Sequence, residues 1–481
     1  MDPVPDHTGA PATRVDARRT AAKAAAENFD RARLTEEATI RGQAQRYITA
    51  SHLNPIVARI LGVCAADHHI QGVVNAFILT RDHVLDHQQR LQMEQIISPR
   101  IIDAQLTMPS PAELPLLFDM VYDELLGISV LGEFWRDDDI TEICVDAWNS
   151  VTVERNGILM RTPASFRDRE HAESVARSLA QKVSDRSLTP VNPLVTAELD
   201  GARVTFCYKP VVKGGLSITM RKFVPLLGMA ELVERSSLTN DMVAFLADCV
   251  KAKANVLISG GTGTGKTTQI NALSEFIPDD ERVVTIEDAF ELSLTNQHVV
   301  SLQTKESASA DDTVSITQDM LLVNALRMRP DRIIVGEIRE AKGATVMLAA
   351  ANTGHDGTMS TIHANTADRA LNFRLAGFVR TGAGMANEVA CAEVAGAINL
   401  IIQVTRRHGR RFISDIAVVD QSYVVNGAIG TRSVFTASLR IGPNGEVPAP
   451  EFRRVGWVGA DTELGMKLTD AGIDTTRWVE A

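Results

Sequence analysis

The sequence predicts an α/β protein: a larger domain with a helix-wrapped parallel sheet, preceded by a smaller α+β domain and a helical N-terminal region. Three observations predict this class. At 481 residues the chain is too long for one ordinary core. From Asp241 onward, short apolar runs alternate with helical patterns, which indicates parallel strands covered on both faces. Between residues 111 and 224, strand patterns and the turn signal Asn156-Gly157 predict a separate α+β module.

These patterns divide the chain into six predicted segments. The first segment is rich in Ala, Arg and Glu, which favours helix, but its apolar stripe is thin. The segments are a flexible or helical arm at 1–48, a small helical region at 49–110, the α+β domain at 111–224, a linker at 225–240, the larger α/β domain at 241–450 and a C-terminal tail at 451–481.

Bulk composition excludes several classes of protein. A hydrophobic content of 45% and a charged content of 23% are ordinary for a soluble globular chain. The net charge of −11 argues against a general nucleic-acid binder, so no nucleic-acid partner is expected. No run of 18 apolar residues occurs, so no transmembrane segment is expected. The five cysteines form no C-x-x-C pair, which argues against a paired-cysteine zinc site and favours a reducing cytoplasm.

A glycine-rich loop between an apolar strand and a helical pattern is the most informative segment. Its residues are Gly260, Gly261, Thr262, Gly263, Thr264, Gly265, Lys266, Thr267 and Thr268. The spacing G-x-x-x-x-G-K-[ST], between a strand and a helix, is that of a phosphate-binding P-loop. Glycines let backbone N–H groups turn toward a phosphate chain, Lys266 would reach the β- and γ-phosphates, and the Thr267 hydroxyl would ligate Mg²⁺. We therefore expect the chain to bind a nucleoside triphosphate, with ATP and Mg²⁺ as the cofactors.

Acidic residues follow two further apolar strand patterns. Glu287, Asp288 and Glu291 come at the end of the first, and Glu337 at the end of the second. The carboxyl ends of parallel strands form the ligand-binding edge of an open α/β sheet. Carboxylates there can hold Mg²⁺ or polarise an attacking water. A helix-capping acidic cluster is the alternative for the first group.

Two histidines, His355 and His363, lie eight residues apart across another predicted strand, among Gly, Ser, Thr and Asn. A single histidine is more often a core or surface residue, but two beside a nucleotide site favour a functional role. A neutral imidazole there can donate to the γ-phosphate or relay its state to a neighbouring strand.

Taken in order, these segments resemble the type II/IV secretion ATPase superfamily. The resemblance is nearest to the CpaF-like ATPases of tight-adherence (Tad/Flp) pili and extends over about residues 110 to 440. The matching segments are Gly260–Thr268, Thr285–Asp288, Leu326–Glu337, Thr353–Gly357, Ser360–Thr366, Asp200–Val204 and Thr219–Phe223. The resemblance implies a RecA-like P-loop NTPase domain preceded by a regulatory N-terminal domain.

The resemblance also implies an activity and its residues. It implies an ATP-hydrolysing homohexamer, cytoplasmic and peripheral to the inner face of the cytoplasmic membrane, which moves an inner-membrane platform protein to assemble or retract a pilus. By motif match, Lys266 and Thr267 bind phosphate and Mg²⁺, and Thr267, Glu287 and Glu337 surround the metal. The implied catalytic residues are Glu337, Glu287, Glu291, His355, His363, Arg203 and Arg221. The alternative interpretation of Arg203 and Arg221 is that they are simply exposed arginines on strands.

Two positions depart from the family pattern. Lys305 and Val323 stand where the family usually has arginine, and lysine does not replace arginine at a bidentate phosphate site. Slow turnover is therefore expected.

Three other functions stay open. One alternative is a conjugative or type IV secretion traffic ATPase, which would use the same hexameric ATPase ring. A nucleotide-binding scaffold with little turnover is a second alternative. A DNA-translocating motor is disfavoured by the acidic balance.

Overall fold

A computed structural model shows the fold. It describes residues 36, 38–40, 54–65, 95, 98–99, 110 and 113–480, the last range with gaps at 127, 185–186, 200–201, 224–226, 306–314, 353, 426 and 443–445. Most of the predicted arm at 1–48 and most of the predicted helical region at 49–110 therefore lie outside the described residues. Within that region the structure has helix α1 at Asn54–Ala65. The described residues form two compact units, one within Glu27–Val224 and one within Pro225–Ala481.

The first unit is built on a six-stranded antiparallel sheet with the order β3-β2-β1-β6-β5-β4. The strands are β1 Ile140–Ala147, β2 Ser150–Arg155, β3 Ile158–Arg161, β4 Leu194–Leu199, β5 Ala202–Tyr208 and β6 Leu216–Lys222. The helices are α2 Leu114–Leu126, α3 Gly132–Arg136 and α4 Arg169–Val183, with a 3₁₀ turn at Ser129–Leu131. Buried and half-buried residues alternate along β5, so one face of the sheet packs on the core.

Helix α4 shows how local sequence positions an element of this unit. The Asp168 side chain caps its first turn by accepting from the His171 backbone N–H at 2.7 Å. Its apolar residues Ala172, Val175 and Leu179 recur at helical spacing and are buried in the same core as the sheet.

The helical segment from Leu114 to Arg136 is interrupted. Helix α2 ends at Leu126, and a 3₁₀ turn precedes α3. Ser129 has a positive φ of 48°, which a right-handed helix does not allow.

The second unit contains a nine-stranded sheet with the order β15-β14-β13-β12-β7-β11-β10-β8-β9. Its strands are β7 Val256–Gly260, β8 Val283–Glu287, β9 Val299–Gln303, β10 Arg332–Val335, β11 Met359–His363, β12 Leu400–Arg407, β13 Arg410–Val425, β14 Ala428–Ser438 and β15 Glu451–Arg454. The strands from β12 to β9 in this order are parallel. Every residue of β7, β8 and β10 is buried, as in a sheet covered on both faces. The predicted α/β class is confirmed.

Helices and a small ribbon complete this unit. The helices are α5 Met229–Glu234, α6 Asn240–Lys251, α7 Lys266–Ser274, α8 Gln318–Ala325, α9 Ala341–Asn352, α10 Ala376–Ala383, α11 Asn387–Ala397 and α12 Glu463–Asp470, with a π-helical segment at Arg369–Leu375 and a 3₁₀ turn at Thr475–Arg477. Strands β16 Val458–Gly459 and β17 Val479–Glu480 form a parallel pair.

The structure differs from the sequence prediction at three places in this unit. The predicted linker contains α5, whose Met229 and Leu232 are buried in the core of the unit. The sheet, predicted as parallel, continues after Arg410 with antiparallel strands, because a tight hairpin joins β12 directly to β13. The predicted tail is packed as well, since Trp478 is fully buried in the same core.

Candidate nucleotide site

The glycine-rich loop leaves the buried strand β7 and enters α7 in a narrow turn. Gly263 and Gly265 have φ of 68° and 97°, which glycine adopts without strain. A Cβ at Gly260 would lie 2.5 Å from Thr264 Oγ1 and 2.7 Å from the Val404 carbonyl oxygen, so only glycine fits there. The backbone is therefore folded as a phosphate-binding loop requires, with α7 beginning at Lys266.

Lys266 is held close to its own loop. Its Nζ donates to the carbonyl oxygens of Gly260 at 3.3 Å and Gly261 at 3.2 Å, and lies 3.3 Å from His363 Nδ1. The side chain is only 7% exposed. A buried ammonium that relies on carbonyl groups at these lengths is well suited to exchange them for phosphate oxygens.

Glu337 follows β10 on a backbone turn held from two sides. Thr361 Oγ1 donates to the Gly336 carbonyl at 2.7 Å, and Gln318 Nε2 donates to the Glu337 carbonyl at 2.8 Å. The Thr361 carbonyl also accepts a hydrogen bond from the Ile338 N–H, at 2.9 Å. The turn that presents the Glu337 carboxylate is therefore anchored to β11 and α8.

The Glu337 carboxylate has two oxygens in different environments. Oε2 accepts from Arg339 Nε at 3.0 Å and from Arg339 NH2 at 2.8 Å. Oε1 is buried and lies 2.7 Å from His363 Nε2. His363 is thus the described neighbour of Oε1, as Arg339 is of Oε2.

His363 lies between the P-loop and Glu337 because β11 lies between β7 and β10 in the sheet. One ring nitrogen faces Lys266 and the other faces Glu337. Burial and the nearby Lys266 charge lower the pKa of His363, against the opposing effect of Glu337. The imidazole is therefore neutral at neutral pH.

Glu287 and Glu291 are also brought to this edge of the sheet, but Glu287 faces inward. Its Oε2 accepts the backbone N–H groups of Glu291 at 2.9 Å and Leu292 at 2.7 Å, and its Oε1 accepts from Thr285 Oγ1 at 3.2 Å. Burial raises the pKa of Glu287 to about 7. The carboxylate is thus occupied in holding the loop that follows β8.

His355 is not part of this cluster. It precedes β11 at the amino end of the sheet, where Thr358 Oγ1 donates to its carbonyl at 2.8 Å. His363 ends the same strand, and the span from Met359 to His363 alone covers about 13 Å at the usual rise per residue. A strand therefore separates the two histidines within one chain, and only His363 lies at the P-loop edge. A catalytic role for His355 stays a prediction.

Arg203 and Arg221 lie in the first unit, on β5 and β6. They are directly opposite each other in the antiparallel register, so they are on the same face of the sheet. Glu142 pairs with Arg221 from the other side. A contact from these arginines to phosphate stays a prediction.

Lys305 and Val323 are both surface positions. Lys305 forms an isolated bridge with Ile316, and Val323 is 43% exposed on α8.

Two residues of the cluster had no assigned role in the sequence prediction. Arg339 joins Glu337 to Asp288, with 2.8 Å between its NH1 and Asp288 Oδ2. Gln318 anchors the Glu337 backbone. The sequence could have indicated Arg339, because it follows the predicted acid Glu337 by two residues. Nothing in the sequence near Gln318 points to Glu337.

The residues present fit a nucleotide with its magnesium ion. The glycine positions make a cradle that a Cβ would fill, and the Glu337 carboxylate lies at the same edge of the sheet, with His363 beside its Oε1. No group of three or more His, Cys, Asp or Glu suited to a metal occurs among the described residues. Mg²⁺ on a nucleotide needs only one or two protein oxygens beside phosphate and water, so Thr267 and Glu337 suffice.

The chain matches the family model of the type II/IV secretion system protein over residues 174–432, which is more than half of its length. It therefore belongs to the type II/IV secretion system protein family. Membership of this family and the order of the strands in the sheet confirm the RecA-like P-loop architecture that the resemblance implies.

Similar proteins come from several organisms. A candidate conjugal transfer protein of Mycobacterium tuberculosis is 34% identical over 311 residues, covering 62% of this chain and 86% of that protein. Protein VirB11 of Agrobacterium fabrum is 32% identical over 311 residues, covering 57% and 87%. Among solved structures, the VirB11 ATPase of the Brucella suis type IV secretion system, in complex with sulphate, is 27% identical, covers 59% of this chain and 90% of that one, and has a TM-score of 0.33.

Among the described residues, no helix has both the length and the apolar character needed to span a membrane.

Proposed function

We propose that this chain is a Mg²⁺-dependent ATP hydrolase that works as a homohexamer at the inner face of the cytoplasmic membrane and powers a secretion or pilus machine through a membrane platform protein. The observation that carries the proposal is the Glu337 carboxylate at the same sheet edge as the P-loop, with His363 between Glu337 Oε1 and Lys266. An acid, a phosphate-binding lysine and a bridging imidazole on adjacent parallel strands are what phosphoryl transfer to water needs.

Lys266 binds the phosphate chain in this proposal. Its Nζ exchanges the Gly260 and Gly261 carbonyl oxygens for the β- and γ-phosphate oxygens. The loop N–H groups and the start of α7 add further donors and partial positive charge. Because these groups are already in place, little reorganisation accompanies nucleotide binding.

Glu337 acts as the proton acceptor. A water oxygen attacks the γ-phosphorus, the bond to the β–γ bridging oxygen breaks, and the water proton passes to the Glu337 carboxylate. Arg339 holds Oε2, which fixes the carboxylate plane and leaves Oε1 facing His363. A bound Mg²⁺ neutralises charge that develops on the phosphate oxygens, and Thr267 and Glu337 would hold it.

Glu287 is given a supporting role, because two backbone N–H groups and a threonine hydroxyl already engage its carboxylate. Arg203 and Arg221 are retained as the first unit's candidates for phosphate contact, and Glu291 as a further acid at the edge.

The hydrolase is tested by comparing Glu337→Gln with the matched control Glu340→Gln, which removes one charge from an exposed position three residues later. We expect Glu337→Gln to lower steady-state ATP turnover by about 10²–10⁴-fold while ATP binding stays near that of the wild type. Turnover of the control should stay near that of the wild type. Wild-type turnover in Glu337→Gln would refute the assigned base. A wild type that binds ATP without turnover, alone and with membrane partners, would favour the scaffold alternative.

The machine that the chain powers has two candidates. Motif resemblance favours a tight-adherence pilus, whereas the names of similar proteins favour conjugal transfer or type IV secretion. A cell carrying Glu337→Gln separates them. Loss of surface pili with DNA or protein transfer intact supports the pilus, and the reverse result supports the transfer machine.

A further inference from the structure

A basic hairpin lies beside the P-loop. Strands β12 and β13 meet at the turn His408-Gly409, whose residues both have positive φ, at 50° and 80°. Four arginines flank this turn, in a chain whose net charge is −11. In the register of the hairpin, Arg406 is opposite Arg411 and Arg407 is opposite Arg410. Residues paired across an antiparallel ladder share a face, so Arg406 and Arg411, here called the arginine pair, lie on one face and the other two on the opposite face.

The face with the arginine pair is turned to the P-loop. Arg411 Nε donates to the Gly263 carbonyl at 2.9 Å. Arg406 NH1 lies 3.8 Å from the point where a Cβ of Gly263 would be. On the other face, Arg410 Nε donates to the Val447 carbonyl at 3.2 Å, away from the loop.

The position of the hairpin is fixed by its backbone. Strand β12 runs parallel to β7, with Val404 opposite Gly260, so the hairpin extends past the point where the P-loop begins. Ser237 Oγ donates to the Arg411 carbonyl at 2.9 Å, and the Ile413 N–H donates to the Ser237 carbonyl at 2.9 Å. The arginine pair is thus mounted on a sheet strand rather than on an unsupported loop.

The sheet order decides which part of a nucleotide the pair would meet. Strand β12 flanks β7 on one side, while β11 and β10, which carry His363 and Glu337, flank it on the other. The terminal phosphate belongs on the side of the acid that activates water. The arginine pair therefore flanks the inner phosphates, which a diphosphate and a triphosphate have in common.

We propose that Arg406 binds the α- and β-phosphates of nucleoside di- and triphosphates, and that Arg411 is a positioning residue that holds the P-loop through Gly263. This rests on the proposed function in two respects: a nucleotide binds at the P-loop, and Glu337 marks the side of its terminal phosphate. A planar guanidinium offers the donor geometry that phosphate oxygens prefer.

The test titrates fluorescent ATP and ADP analogues into the full chain and its variants. Arg406→Ala is compared with Arg407→Ala, and Arg411→Ala with Arg410→Ala, since each control removes the same charge from the same hairpin. We expect Arg406→Ala to weaken ATP and ADP binding equally, by about ten-fold or more, and its control by less than about two-fold. Arg411→Ala should weaken both nucleotides, and Arg411→Lys should recover only part of the loss, because lysine cannot reproduce the Nε contact.

Three results would overturn the inference in whole or in part. Equal affinities in Arg406→Ala and Arg407→Ala would show that the hairpin does not contact nucleotide. A loss for ATP with none for ADP would place Arg406 at the γ-phosphate instead. Full recovery in Arg411→Lys would reduce Arg411 to a general charge and remove its positioning role. If the wild type binds neither nucleotide, the proposed function fails; if it binds both and only the arginine comparison is negative, this inference alone fails.

Discussion

Glu287 ends β8 and Glu337 closely follows the neighbouring parallel strand β10, yet their carboxylates are used differently. Glu287 is 3% exposed and accepts two backbone N–H groups, so it holds the loop after β8. Glu337 instead has side-chain neighbours, Arg339 at Oε2 and His363 at Oε1. The chemistry of an acid at a strand end is therefore set by which backbone donors surround it.

We predict that Glu287→Leu lowers the free energy of unfolding by about 1–3 kcal/mol, because it leaves the Glu291 and Leu292 N–H groups buried without an acceptor. Glu287→Gln keeps an acceptor oxygen and should cost less. Denaturant unfolding of both variants measures this. Equal stability of the two variants would contradict the supporting role.

We predict that Lys266→Ala abolishes measurable ATP binding, because the alanine cannot supply the buried ammonium between the P-loop carbonyls and the phosphates. Lys251→Ala, at an exposed position in the last turn of α6, is the charge-matched control. Titration with a fluorescent ATP analogue measures ATP binding by both variants. Retained binding in Lys266→Ala would place the nucleotide elsewhere.

At the scale of elements, the C-terminal segment is part of the core of the second unit. Trp478 Nε1 donates to Asp248 Oδ2 of α6 at 2.7 Å, and its ring packs edge-on against Phe245 with centroids 5.3 Å apart. The Arg454 guanidinium lies 5.1 Å from the Trp478 ring and 3.8 Å from the Trp457 ring. A buried indole with a satisfied N–H and a cation beside it ties the chain end to α6.

We predict that Trp478→Ala destabilises the second unit by about 3–5 kcal/mol, since it removes a large, fully buried ring. Trp457→Ala makes the same chemical change at a position that is 41% exposed and should cost about 1 kcal/mol. Denaturant unfolding of the two variants, followed by circular dichroism, gives the comparison. Similar losses in both would show that the C-terminal segment does not stabilise the core.

At the scale of the whole molecule, the chain combines a smaller antiparallel unit with a larger unit that carries the P-loop. Subunits that associate head to tail close into a ring when the rotation between neighbours divides a full turn. Six-fold closure is implied by the family resemblance.

We predict that the wild-type chain forms a particle of six times 52.2 kDa when ATP is present. Light scattering after size exclusion, over a range of protein concentrations, measures the mass, and Lys266→Ala tests whether nucleotide promotes assembly. A strictly monomeric wild type with ATP at every concentration would rule out the ring.

Much of the site was predictable from short segments. The P-loop, the acid-bearing strand and the α/β class depend on local spacing: a glycine pattern between strand and helix, and apolar runs that end in an acid. Such signals are contained within ten or fifteen residues, so the sequence alone is sufficient to read them. The arm and helical region before residue 110 carried only weak periodicity and lie mostly outside the described residues.

The partners of each side chain were decided only by the tertiary structure. The spacing of His355 and His363 does not say which end of β11 faces the P-loop, and parallel pairing with β7 places only His363 there. Arg411 reaches Gly263 across 148 residues of chain because β12 is the neighbour of β7 in the sheet. Local motifs therefore identify the phosphate-binding loop and its acid, whereas strand order, a long-range property of packing, determines which charges surround them.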